Sequence, residues 1–279
     1  MLYEKILLPM PEGMDNAEII AYLPDNTDQI DSHRCRKTVI VCAGGGYRFR
    51  SDREAEPVVL QLLAAGFNAF LMQYHLPVDS PKYAFPTPQL ELAAAIAHIR
   101  KNAAKYHALE NGITVMGFSA GGHLACSVGL MYDDPMLYKK LGVKPEDIRP
   151  DGMVLSYPVI TGTVYTHADS MRRLFMTDDP AEWVKYSLED RVHPGVPPAF
   201  IWATYEDELV PLENTLYLAN ALRRCGVNME LHIFPHGQHG LSLNTPEVYG
   251  PGVITVKPEN MKFAVGCWID MAIRWVREL

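Results

Sequence analysis

With 279 residues, 48% of them hydrophobic, the chain can bury one large α/β domain or two smaller ones. Its net charge of −8, with both signs scattered and no basic run, argues against nucleic acid or an anionic membrane surface as partners. No stretch approaches the roughly 20 apolar residues that a bilayer-spanning helix needs, and the apolar run Ile6-Leu7-Leu8, ended by Pro9, is too short for a signal-peptide core.

Residues 2–9 and 17–23 read as two strands joined by a turn around Pro11-Glu12-Gly13, forming an antiparallel edge. A polar loop over 25–37 follows. Thr38-Val39-Ile40-Val41-Cys42 is a continuous apolar run, as expected of a strand buried on both faces of a parallel sheet. It leads into Ala43-Gly44-Gly45-Gly46-Tyr47. A helix is expected from Asp52 to Ala65, with Ala55, Val58, Val59, Leu62 and Leu63 on one face and Gly66 as its cap. Residues 68–74 read as a strand and 75–86 as a Pro-rich loop. The spacing of Leu92, Ile96, Ile99 and Ala103 predicts a long helix from about Thr87 to Tyr106.

Next come a short strand over Ile113–Met116 and a helix over Ala120–Met131, the latter with Leu124, Val128 and Met131 on one face. The charged, Pro-bearing stretch 132–151 reads as a surface excursion, and 152–157 as another strand. Residues 159–198 hold short helical pieces, Asp169–Phe175 and Pro180–Val184 among them, and read as an insertion over the site. A strand over 199–204, a helix over 211–225 capped by Gly226, a strand over 228–234 and a final helix over about 260–277 complete the chain. Strands alternating with helices predict a mostly parallel, doubly wound sheet with helices on both faces, within one domain over residues 1–279. The five cysteines, Cys35, Cys42, Cys126, Cys225 and Cys267, are odd in number and contain no C-x-x-C. They are expected to be reduced, mostly buried residues of a cytoplasmic protein. Whether the chain forms a homo-oligomer is not legible.

The stretch Thr114 to Ala125 carries the chemistry. Gly117-Phe118-Ser119-Ala120-Gly121 matches G-x-S-x-G between a strand and a helix, the setting of a nucleophile elbow. Ser119 would stand at a helix N-terminus, where N–H groups stabilise a developing anion. The glycine triplet after the first central strand fits neither a dinucleotide fingerprint nor a P-loop, because no further Gly arrives in register and no Lys-Ser/Thr follows. It suits an oxyanion loop, whose backbone N–H groups must approach a substrate carbonyl; an ordinary flexible turn is the other reading.

A serine nucleophile needs a base. Of the ten histidines, His239 follows the last strand and lies near two glycines, with His236 as its rival. His123, His98 and His232 fall within helices or a strand, and His33, His75, His107, His167 and His193 in loops or helix ends. The carboxylate that orients the base is sought after the strand ending at Thr204, among Glu206, Asp207 and Glu208. Asp207, ahead of a helix opened by Pro211, is the preferred member. The chain order is then Ser…Asp…His.

These segments resemble the α/β-hydrolase superfamily, and within it the acetyl esterase group that includes acetyl-xylan and feruloyl esterase-like proteins. The resemblance runs over about residues 35–245. It rests on Gly117 to Ala125 as nucleophile segment, Asp207 to Asn214 as acid segment, and Phe234 to Leu241 as histidine segment. It implies an α/β-hydrolase fold and a serine esterase acting on short, acetyl-like acyl esters of a small molecule, including acetylated sugars or xylo-oligosaccharides, with no metal or organic cofactor. The catalytic residues would be Ser119, Asp207 and His239, and the oxyanion hole the amides of Ala120 and of Gly45 or Gly46. A small-substrate amide hydrolase, or a binding protein without turnover, remain alternatives. One departure stands out: related esterases often have His-Gly-Gly-Gly at the oxyanion loop, and Ala43 occupies the His position here.

Overall fold

A continuous apolar run is stable as a strand only when both of its faces are covered, and Val39, Ile40, Val41 and Cys42 are each shut off from solvent. The structure is a computed structural model and describes residues 1–249 and 264–279. Its strands are β1 Leu2–Leu8, β2 Ala17–Leu23, β3 Arg36–Cys42, β4 Asn68–Met72, β5 Ala108–Phe118, β6 Gly152–Ser156, β7 Ala199–Thr204 and β8 Met229–Phe234. They form one sheet in the order β1-β2-β4-β3-β5-β6-β7-β8. The β1–β2 and β2–β4 pairs are antiparallel and all later pairs parallel. The expected antiparallel edge and parallel body are both present.

Alternation along β3 assigns the covers. Ile40 and Cys42 join one apolar core with residues of α2 (Thr87–Lys101), α3 (Ala120–Met131) and α8 (Glu213–Arg224). Val39 and Val41 join the other, with α1 (Glu56–Ala64) and α9 (Trp268–Glu278). Helix α3 is buried on every side. Small residues make this feasible: a Cβ on Gly129 would sit 2.3 Å from Met153 Sδ. Among the described residues, no helix is long and apolar enough to cross a membrane.

Several boundaries differ from the sequence expectations. Helix α2 ends at Lys101, not Tyr106. The Asn102 side chain caps it by donating to the His98 carbonyl at 2.8 Å, and His107 adopts a left-handed φ of 47° before β5 begins at Ala108. The helix expected over 52–65 is a 3-10 turn, Asp52–Glu54, followed by α1, and Leu63 on it is only partly buried. The excursion at 132–151 contains α4 Pro135–Leu141 and α5 Pro145–Ile148, which bury Leu137 and Ile148. Here proline opens a helix: Pro135 and Pro145 each occupy the first turn, where no N–H is needed. Of the expected final helix, residues 260–263 lie outside the described residues; the rest is a 3-10 turn, Ala264–Cys267, and then α9. Cys42 and Cys126 are buried and Cys225 is half-buried. Cys35 and Cys267 are exposed, so the set is less buried than expected.

Candidate active site

The ends of β3, β5, β7 and β8 deliver the chemistry to one edge of the sheet, beyond the strand carboxyl ends. Ser119 caps α3 with a positive φ, at φ 53° and ψ −117°. A non-glycine residue is held there only when its surroundings enforce it. They do. A Cβ on Gly117 would lie 2.1 Å from the Gly121 carbonyl oxygen, and one on Gly121 would lie 2.2 Å from that of Cys42. Only glycine lets the strand, the turn and the neighbouring strand end approach this closely.

Ser119 Oγ lies 2.8 Å from His239 Nε2, and His239 Nδ1 lies 2.6 Å from Asp207 Oδ2. An ionised carboxylate can only accept, so Nδ1–H donates to Asp207 and Nε2 is left to accept from the serine hydroxyl. Asp207 Oδ1 accepts from the backbone N–H groups of Leu209 at 3.0 Å and Val210 at 2.9 Å. The Tyr157 ring meets the imidazole edge-on, centroids 4.9 Å apart. The rival residues form a pair of their own: His236 Nδ1 lies 2.9 Å from Glu206 Oε1, and Glu206 Oε2 accepts from Gly237 N–H at 3.0 Å. Glu208 lines the surface beside Leu209, Gln238 and His239.

The glycine loop is pinned at each carbonyl from Ala43 to Gly46. Tyr74 O–H donates to the Ala43 carbonyl at 2.7 Å, Ser51 N–H to that of Gly44 at 3.0 Å, and Arg48 N–H to that of Gly45 at 3.0 Å. Arg173 Nη1 donates to the Gly46 carbonyl at 3.1 Å. The Gly44 N–H is taken up by Glu54 Oε2 at 2.8 Å. Gly44 abuts the serine, since a Cβ there would lie 3.0 Å from Ser119 Cβ. Gly45 and Gly46 line the cleft with Ser119, and Ala120 opens α3 directly after it. Position 43 is alanine, and the loop that follows it is held by Tyr74, Glu54 and Arg173.

Glu54, Tyr157, Arg53 and Arg173 are site residues that sequence reasoning did not find. Tyr157 O–H donates to buried Glu54 Oε1 at 2.7 Å and accepts from Ser242 N–H at 3.0 Å. Burial, and then the Glu54 charge, push the Tyr157 phenol well above its ordinary pKa, so it stays a donor. Arg53 Nε donates to the Val248 carbonyl at 2.8 Å and its Nη2 to that of Gly240, tethering the segment after His239. The one local signal is conformational: Tyr157 has φ 38°. The segment 159–198 reaches the site through α6, Ala168–Phe175, which carries Arg173. Its start is tied down where Asn214 Oδ1 accepts from the N–H groups of Ile160 at 2.9 Å and Thr161 at 3.1 Å. Ser119 opens onto a cleft of about 360 Å³ lined by Gly45, Gly46, Glu54, His167, Asp169, Arg173, Leu209 and His239 among others, with Phe49 and Leu209 as its large apolar side chains.

A family model described as BD-FAE matches residues 21–222. The endo-1,4-beta-xylanase B of Butyrivibrio fibrisolvens is 39% identical over 217 residues, 77% of this chain and 34% of that protein. The acetylxylan esterase of Xylanibacter ruminicola is 28% identical over 236 residues, 82% of this chain and 44% of that protein. The chain therefore spans a third to under half the length of these relatives. Among solved structures, an acetyl ester-xyloside bifunctional hydrolase from Caldicellulosiruptor lactoaceticus superposes with a TM-score of 0.79 at 33% identity, over 98% of this chain and 96% of that one.

Proposed function

We propose that this chain, which belongs to the BD-FAE family and has the α/β-hydrolase fold, is a serine carboxylesterase that removes short acyl groups, acetyl foremost, from a small polar alcohol. The observation that carries the reading is the unbroken chain Ser119 Oγ–His239 Nε2–His239 Nδ1–Asp207 Oδ2, with Ser119 at a helix N-terminus in a strained conformation.

Ser119 Oγ attacks the ester carbonyl as its proton passes to His239 Nε2. Asp207, nearly buried and fixed by two backbone N–H groups, holds the ring in the productive tautomer and stabilises the imidazolium. The amides of Ala120 and of Gly45 or Gly46 receive the oxyanion, and their fixed positions mean little reorganisation as charge develops. His239 returns the proton to the departing alcohol. Water, deprotonated by His239, then releases the acid from Ser119.

Two further observations support a short acyl group and a polar alcohol. The cleft is modest in volume, and Arg48, Arg53, Asp169 and Arg173 outnumber its large apolar side chains. Similarity to the acetylxylan esterase and to the acetyl ester-xyloside hydrolase points the same way, toward acetylated sugars or xylo-oligosaccharides. The test is a panel of 4-nitrophenyl esters with labelling by a fluorophosphonate. Turnover should peak at acetyl and fall with chain length, and the label should attach at Ser119. A preference for acyl chains of eight carbons or more would contradict the substrate assignment, and an unlabelled serine the mechanism.

A further inference from the structure

His167 lines the Ser119 cleft and has no part in the acyl transfer described above. It sits at the entry to α6, directly over the oxyanion loop: a Cβ on Gly46 would lie 3.6 Å from His167 Cε1 and 3.3 Å from Arg173 Nη1. Its Nδ1 is engaged by Ser170 Oγ at 2.6 Å, which leaves Nε2 as the ring's polar atom for a ligand. Behind it, Arg173 Nη2 pairs with Asp169 Oδ2 at 3.0 Å, and both residues line the same cleft. We infer that His167, backed by the Asp169–Arg173 pair, recognises a hydroxyl adjacent to the scissile ester, so that the alcohol half of the substrate is a vicinal diol of the kind a sugar ring presents.

The half of the ester assigned to His167 is the leaving alcohol. The departing oxygen must lie within reach of His239 Nε2, because that atom protonates it. His167 and His239 line one cleft with Ser119. Burial first, and then the charge that His239 carries when protonated, hold the His167 imidazole below its ordinary pKa. We place the group next to the departing oxygen at His167. The imidazole is then neutral at neutral pH, and a hydroxyl can pair with Nε2 in either tautomer, as donor or as acceptor. The carboxylate and guanidinium beside it extend the same capacity to a second hydroxyl.

This inference rests on the esterase reading, and one experiment separates the two. Wild type is compared on a mono-O-acetylated methyl xylopyranoside and on the same ester with the neighbouring hydroxyl replaced by hydrogen, with 4-nitrophenyl acetate as reference. Wild type should favour the hydroxylated ester by about tenfold in kcat/KM, the effect of one hydrogen bond. His167→Ala should bring that ratio close to one. His167→Phe keeps the ring volume and should do the same, which preserves the test if the alanine variant does not fold. A ratio that survives either substitution, or a wild type that hydrolyses 4-nitrophenyl acetate yet ignores the hydroxyl, overturns the inference and leaves the esterase reading standing. No turnover of any of the three, with no fluorophosphonate label, overturns both.

Discussion

Two carboxylate–imidazole pairs stand side by side on the same two loops. Glu206 and Asp207 are adjacent in sequence, His236 and His239 three residues apart, and each acid meets one imidazole through Nδ1. Depth separates them. The side chains of His236 and Glu206 are 43% and 49% exposed, those of His239 and Asp207 12% and 1%. The deeper carboxylate is fixed by two backbone N–H groups, and its imidazole reaches a serine. The outer carboxylate holds Gly237 N–H and so braces the loop that carries His239. Identical chemistry thus has two uses, and burial decides which. In a shielded site the imidazolium–carboxylate attraction is strong and its geometry fixed; at the surface, water and salt weaken it.

The largest expected effect tests the inner pair. Ser119→Ala and His239→Ala should each lower kcat by about 10⁴-fold or more, and the double variant should be hardly worse, since residues that act as a unit lose their effect together. Asp207→Asn should fall by on the order of 10⁴-fold, because the amide favours the wrong imidazole tautomer. Single-turnover kinetics on 4-nitrophenyl acetate would check all four. Additive losses in the double variant would break the proposed coupling of serine and base.

A third imidazole sharpens the comparison, because it has the depth without the acid. His123 on α3 is buried, its Nδ1 lies 2.8 Å from the Tyr47 hydroxyl, and its Nε2 has no partner among the described residues. Burial lowers its pKa to about 4. In the unfolded chain a histidine titrates near 6.5. Between those values the unfolded state binds the extra proton, so stability is lost as pH falls from about 6.5 to about 4, by roughly 3 kcal/mol. His123→Gln should remove that part of the pH dependence in urea unfolding measured at pH 7 and at pH 4.5. Equal acid sensitivity in both proteins would contradict it.

Much of this was legible because the signals are local. The apolar run at 38–42 dictates a doubly covered strand, and Gly117 and Gly121 flank a serine that must turn sharply. Asp207 and His239 could be selected because each follows a strand ending at the same edge. What escaped depends on pairing across the chain. Glu54 lies 103 residues from Tyr157, and no spacing announces that Tyr157 donates to it. Arg173 reaches Gly46 across 127 residues, from a segment of short helices whose packing against the cleft only the fold determines. The helices α4 and α5 escape for a different reason: a charged, Pro-bearing stretch reads as a surface excursion, whereas here each proline starts a helix.

The smallest expected effect concerns the outer pair, and the comparison depends on it most. Glu206 accepts from His236 and from Gly237 N–H, and these two contacts, led by His236, hold its carboxyl below the usual pKa. Glu206→Gln retains an acceptor for one of them and removes only a solvated charge. His236→Ala leaves the Gly237 contact in place, and Thr204 Oγ1 still donates to the Gly237 carbonyl at 2.7 Å. The loop bearing His239 therefore keeps its anchor in both variants. Each should stay within about tenfold of wild type in kcat/KM, and the difference should shrink with added salt, because exposed charges act through a screened field. Measurement at low and at high ionic strength gives both numbers. If Glu206→Gln were as damaging as Asp207→Asn and insensitive to salt, depth would not be what separates the pairs, and the outer carboxylate would have to take over the role assigned to the inner one.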